Sequence, residues 1–169
     1  MSLWTRFRHL RIDIGRQILG LHDGKRLLAE YRVSTGINGV GERHGSGCTP
    51  RGLHRVRIRV GEGCPIGTVF RGRRPTGEIL DAALAAAHPD RDWILTRILW
   101  LTGCERGRNR GGQVDTLRRF IYIHGCPDTE PMGVPRSHGC IRMHNEELIE
   151  LFDQTPVGTP VMLIGPGDD

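Results

Sequence analysis

Short runs of alternating apolar and charged residues, each cut off by glycine, proline or an Asp-Gly pair, constrain the fold of this 169-residue chain most. Side chains alternate between the two faces of a strand, so period-two runs mark half-buried strands. Leu10, Ile12 and Ile14 alternate with charged residues, and Ile18, Leu19 and Leu21 lead into His22-Asp23-Gly24-Lys25, a turn sequence. Leu27, Leu28, Tyr31 and Val33 make the return, so residues 10–33 read as a β-hairpin ended by Ser34-Thr35-Gly36. Over 55–60, Val56, Ile58 and Val60 are expected on one face of a strand, with arginines on the other. Trp93 to Leu101 reads as a buried strand, Phe120 to Ile123 as a short one and Val161 to Ile164 as the last, with a further short strand at Val69-Phe70.

Two segments break this pattern toward helix. Glu78 to His88 carries Ile79, Leu80, Leu84 and an alanine run, stopped by Pro89. A second helix is expected to start with Asn145 as its N-cap, with Glu146 and Glu147 in the first turn where the helix dipole favours them. Leu148, Ile149, Leu151 and Phe152 supply its apolar face, and Pro156-Val157-Gly158 ends it. Residues 36–52, 65–77 and 105–112 read as glycine-rich or irregular loops, and Pro127, Pro131, Gly133 and Pro135 deny regular structure to 124–140. The pattern fits one domain over 1–169 of mainly β, α+β class.

No apolar run approaches the roughly 20 residues of a membrane-spanning helix, so no membrane partner is expected. The chain carries a net charge of +5, almost all of it from arginine, with Lys25 the only lysine. The denser spots at Arg71, Arg73, Arg74 and at Arg106, Arg108, Arg110 read as solvated surface or as contacts for an anionic partner. Few aromatics interleave with them, which argues against nucleic acid. Arg6, Arg8, Arg11 and Arg16 are followed by no apolar signal region, and five widely spaced cysteines make a poor disulfide framework. A cytoplasmic location is the expectation, or a periplasmic one if an export segment has been trimmed.

Chemistry concentrates in two short stretches, Ile121-Tyr122-Ile123-His124-Gly125 and Ser137-His138-Gly139-Cys140-Ile141-Arg142-Met143. A thiol titrates near 8.5 and needs a base to become a nucleophile at neutral pH. His124, at a strand end, is the candidate base for Cys140, with a backbone carbonyl as its orienter because no aspartate stands out. Amides of Gly139 and Cys140 are candidates for an oxyanion hole. The same stretches also contain two His-x-Cys pairs, His124-Gly125-Cys126 and His138-Gly139-Cys140, with His144 close by. A zinc-binding structural domain is therefore the alternative of another class.

The paired stretches resemble the signature of the L,D-transpeptidase (YkuD) catalytic domain family. Val33-Ser34-Thr35-Gly36 and Thr49-Pro50-Arg51-Gly52 are similar to the family's opening. The resemblance is sharp over 121–145 and diffuse over 10–165. It implies a β-sandwich-like fold with a few short helices, one of them after the cysteine. It implies no cofactor and no metal. Cys140 would be the nucleophile, His124 its base, and His138 and Gly139 would shape the catalytic pocket, with His138 alternatively a structural histidine. Arg142 would hold a substrate carboxylate or brace the loop, Ser137 would fix the loop, and Gly125 would border the substrate. Cys126 stands where such sequences usually carry threonine, and the region 61–112 is longer and richer in arginine than in the simplest members. The implied partner is a peptidoglycan tetrapeptide stem or muropeptide, cleaved between diaminopimelate and D-alanine through a thioester. Water as acceptor gives an L,D-carboxypeptidase of murein recycling, the expectation that goes with a cytoplasmic chain. An amine as acceptor gives 3–3 cross-links in the cell wall.

Overall fold

The N-terminal alternation builds three antiparallel strands rather than a single hairpin: β1 (Arg8–Asp13), β2 (Ile18–Asp23) and β3 (Arg26–Arg32). The computed structural model describes residues 6–168, so the extreme ends of the expected 1–169 domain lie outside the described residues. Further along come β4 (Gly52–Val60), β5 (Thr68–Arg71), β6 (Arg74–Ile79), α1 (Ala82–Ala87), β7 (Ile94–Gly103), β8 (Tyr122–Gly125), β9 (Ile141–Met143), α2 (Asn145–Asp153) and β10 (Pro160–Ile164). The architecture is mostly β with two short helices. Among the described residues no helix is long and apolar enough to cross a membrane.

β7 is the hub of the sheet. One edge pairs with β4 through its C-terminal half and with β5 through Ile94 and Leu95, while the other edge takes β8. β8 then pairs in parallel with β9, and β10 joins β4 to β1. Leu10 and Ile12 of β1, Leu19 and Leu21 of β2, Leu99 and Leu101 of β7, Ile123 of β8 and Ile141 and Met143 of β9 meet in one core. Leu148, Leu151 and Phe152 of α2 close that core. Full burial of each such aliphatic side chain contributes roughly 1.5–3 kcal/mol.

Several local expectations change. Glu78 and Ile79 belong to β6, paired with β5 at Thr68, and the helix begins only after Asp81, whose side chain accepts from the Leu84 N–H. Leu80 and Leu84 pack on Val69, Trp93 and Leu95 as the apolar stripe suggested. In β4 the register shifts between Val56 and Ile58, which leaves Ile58 exposed instead of beside Val56. A bulge moves every later side chain to the other face. The Arg59 guanidinium accordingly lies 3.9 Å from the Phe152 ring centre.

His54 is fully buried, with Nδ1 on the Gly52 carbonyl and Nε2 on Thr116 Oγ1. Burial pushes it down from 6.5 to about 4, so it stays neutral. Asn145 is the first residue of α2 rather than its N-cap, which is His144. Trp100 is only partly covered, and its face is met by Arg73. Of the cysteines outside the motif stretches, Cys64 packs beside Phe70 and Ile98. Cys48 and Cys104 instead make polar contacts, to Asn38 O and from Arg55 Nε.

Candidate active site

Alternation along β8 and β9 decides which residues can meet. Ile121, Ile123, Ile141 and Met143 all point into the main core. Strand side chains alternate, so Tyr122 and His124 of β8 and Arg142 of β9 take the opposite face. The parallel register sets Ile123 against Ile141 and His124 against Arg142. Carried back one residue, it sets Tyr122 beside Cys140, and these two side chains do pack together. Cys140 and His124 therefore lie on one face, offset by two residues across adjacent strands.

The sulfur of Cys140 is gripped from β8. It accepts from the Tyr122 N–H at 3.3 Å and donates to the Phe120 carbonyl at 3.3 Å. Phe120 has φ +56, an uncommon backbone for an aromatic residue, and this conformation accompanies the aim of its carbonyl at the thiol. Cys140 is partly exposed, unlike Cys126, which is buried with its thiol on the Met143 carbonyl. Burial pushes both thiols up to about 12, with the Tyr122 N–H pulling Cys140 back and the Arg142 charge pulling Cys126 back. Titration thus does not separate the two; access and neighbours do.

His124 is buried, and its Nδ1 lies 2.7 Å from the Gly125 carbonyl. A carbonyl only accepts, so Nδ1 carries the hydrogen and Nε2 of the neutral ring keeps a lone pair. The expected carbonyl orienter is therefore present. Burial moves the imidazole below its ordinary value, while the Gly125 bond and the Asp92 charge oppose this.

The loop before the cysteine is sutured by 33–37 and by Thr49. Ser34 and Arg142 exchange both backbone hydrogen bonds, Ser137 N donates to Thr35 O, and Ile37 N donates to Ser137 O. Ser137 is buried; its Oγ donates to the Cys140 carbonyl at 2.5 Å and accepts from the Gly139 N–H at 3.1 Å. The Gly139 amide, expected as an oxyanion donor, is thus engaged by Ser137, and the Gly139 carbonyl accepts from Thr49 Oγ1. Gly139 has φ +122, and a Cβ there would lie 2.9 Å from the Cys48 carbonyl. Gly125 is buried, and a Cβ on it would collide with Asn145 Oδ1 and the Leu95 carbonyl.

Asp92 is the residue that sequence reasoning missed. Its Oδ1 accepts from Arg142 Nη2 at 2.8 Å and its Oδ2 lies 3.4 Å from Nδ1 of the exposed His138. Arg142 is buried, and its guanidinium is held by this carboxylate. An arginine in the motif needing a carboxylate partner, and an aspartate just before the apolar run at 93–101, were the available signals. Asp92→Asn is expected to lower the unfolding free energy by about 1–2 kcal/mol, less than for a fully buried pair because Asp92 is half-exposed. Urea denaturation measures this, and an unchanged midpoint would show that the pair contributes nothing. Asn145 supports the same region from below: Thr96 Oγ1 donates to its Oδ1 at 2.6 Å, and its Nδ2 donates to the Cys126 carbonyl at 2.9 Å.

The two His-x-Cys pairs do not converge. His124, Cys126 and His138 each turn to a different partner, and among the described residues no three His, Cys, Asp or Glu side chains are placed to hold a metal ion.

Residues 8–163 match the sequence model of the L,D-transpeptidase catalytic domain, YkuD. A putative L,D-transpeptidase of Bacillus subtilis, YqjB, is 49% identical over 45 residues, 27% of this chain and 26% of that protein. The putative L,D-transpeptidase YkuD of the same organism is 38% identical over 63 residues, 34% of this chain and 38% of that protein. The matched part thus spans about a quarter to two-fifths of these relatives. Among solved structures, an L,D-transpeptidase from Xylanimonas cellulosilytica superposes with a TM-score of 0.56 at 21% identity, over 96% of this chain and 63% of that one. An L,D-transpeptidase from Mycobacterium smegmatis gives a TM-score of 0.54 at 18% identity, over 94% and 58%. At these identities the likeness is one of fold.

Proposed function

This chain belongs to the L,D-transpeptidase catalytic domain family, and from that premise we propose that it takes the acyl group of a peptidoglycan tetrapeptide stem onto Cys140 and releases it to water. The observation that carries the reading is the placing of a partly exposed thiol and a buried neutral histidine on the same face of adjacent strands, with the histidine's Nε2 lone pair left open by the Nδ1–Gly125 bond. In acylation, His124 Nε2 takes the thiol proton and the sulfur attacks the carbonyl carbon of diaminopimelate. The Tyr122 N–H at the sulfur stabilises the thiolate as it forms. The tetrahedral intermediate collapses, the C–N bond breaks, and the imidazolium returns its proton to the leaving amine of D-alanine. Water then attacks the thioester, gives a proton to His124, and the sulfur leaves and is reprotonated. Arg142, held by Asp92, braces the loop, and Ser137 fixes the turn that presents Cys140.

Support for water as the acceptor comes from the thiols. All five cysteines are free, as in proteins kept in a reducing compartment, where soluble stem peptides are at hand. On the same ground we place the enzyme in the cytoplasm. The second reading, an amine acceptor and 3–3 cross-linking, is favoured by the names of the relatives. Incubation with disaccharide tetrapeptide decides between them by mass spectrometry. Hydrolysis predicts tripeptide and free D-alanine as the main products; abundant cross-linked dimer without tripeptide would sink it.

A further inference from the structure

Arg73 occupies an unusual place. Gly72 and Arg73, both with positive φ (+55° and +63°), form the two-residue turn between paired Arg71 and Arg74, joining β5 to β6. Such a turn favours asparagine or glycine at both positions, because a side chain with positive φ is strained. An arginine there invites the question of what its side chain does. Its guanidinium folds back over the Cys140 face, 4.9 Å from the Trp100 ring centre and 5.0 Å from that of Phe120. Nη1 donates to Tyr122 Oη at 3.3 Å. Tyr122 and Phe120 are the two residues whose backbone grips the Cys140 sulfur. Arg73 therefore stands one aromatic residue from the thiol.

Among the described residues the cation has no anionic partner. Among the described residues none of the ion pairs includes Arg73, Arg71 or Arg74. Stacking on aromatic faces leaves a guanidinium's edge free to donate, and most of its N–H groups remain available after the bond to Tyr122. A half-buried, pre-positioned and unpaired guanidinium one aromatic residue from the thiol suits a carboxylate, which it can meet with paired N–H donors. We propose that Arg73 is a specificity residue that recognises a carboxylate of the acyl donor next to Cys140. This rests on the acyl-enzyme reading above and names the feature of the donor that the site selects. Arg71 and Arg74, exposed on the same hairpin, add to the local positive field.

Two measurements test it. The first is independent of the natural substrate: alkylation of Cys140 by anionic iodoacetate and by neutral iodoacetamide, followed by peptide mapping. In the wild type, Arg73 raises the iodoacetate-to-iodoacetamide rate ratio. Arg73→Ala should lower that ratio about threefold or more, and Arg73→Lys should keep most of it. The second uses a tetrapeptide stem and its two forms amidated singly, at the D-alanine or at diaminopimelate. One amidation should cost the wild type about tenfold in kcat/KM, mostly through KM, and should cost Arg73→Ala nothing. An alkylation ratio unchanged in Arg73→Ala overturns the proposal, even in an enzyme that acylates stem peptides. So does an equal loss on all three peptides, which a merely structural brace would give. A falling alkylation ratio in a protein that accepts no stem peptide keeps the carboxylate site and removes the stem-peptide reading.

Discussion

Cys140→Ala is expected to abolish covalent capture of an acyl donor while leaving the fold in place. The thiol lies at the edge of its cluster, partly exposed, and its hydrogen bonds to Tyr122 N and Phe120 O are two weak sulfur contacts. Their loss and the small cavity cost about 1–2 kcal/mol at most, well below the stability of a typical domain. Chemically the loss is expected to be complete, because the proposed nucleophile is gone. Cys126 cannot substitute: it is buried, its thiol is pushed up to about 12, and it bonds to the Met143 carbonyl. Intact-mass analysis after incubation with a tetrapeptide stem, alongside a thermal melt, checks both halves. An adduct that persists in the variant reassigns the nucleophile.

Removal of the proposed base ranks second. His124→Ala should slow acylation by roughly 10²–10⁴-fold, the usual contribution of a positioned general base. It should do so without moving the binding of the stem peptide. Only the neutral imidazole accepts the thiol proton, so acylation fails as pH falls through the His124 pKa. Burial lowers that pKa below 6.5, and the acidic limb of the rate profile therefore lies below pH 6.5. Single-turnover acylation measured across pH reports it. A limb at or above pH 6.5, or a His124→Ala enzyme within tenfold of the wild type, would count against this assignment.

The unequal legibility of these residues has a physical cause. His124 and Cys140, proposed as base and nucleophile, stand out because such a pair leaves a local mark, a histidine at a strand end and a glycine before a cysteine. The strands stand out because half-burial writes a period of two into the chain. Asp92 and Arg73 carry no such catalytic mark, and Asp92 shows only as an aspartate before an apolar run. Each acts across the fold, Asp92 on Arg142 from 50 residues away and Arg73 on Tyr122 from 49. The errors in β4 and α1 have the same origin. A register shift at Val56/Ile58 and the pairing of Ile79 with Thr68 are settled by neighbouring strands, which local propensity does not see.

What the sequence determined alone is therefore the class of the fold, the alternating faces and the two residues most able to do nucleophilic chemistry. Tertiary structure decided that those two share a face of adjacent strands. Ile123, Ile141 and Met143 had to enter one core, and the parallel register that buries them carries Cys140 and His124 together to the opposite face. Periodicity says which side of a strand is apolar. Only packing says which strands are neighbours, and so which carboxylate holds Arg142 and which cation stacks on the aromatic residues around the thiol.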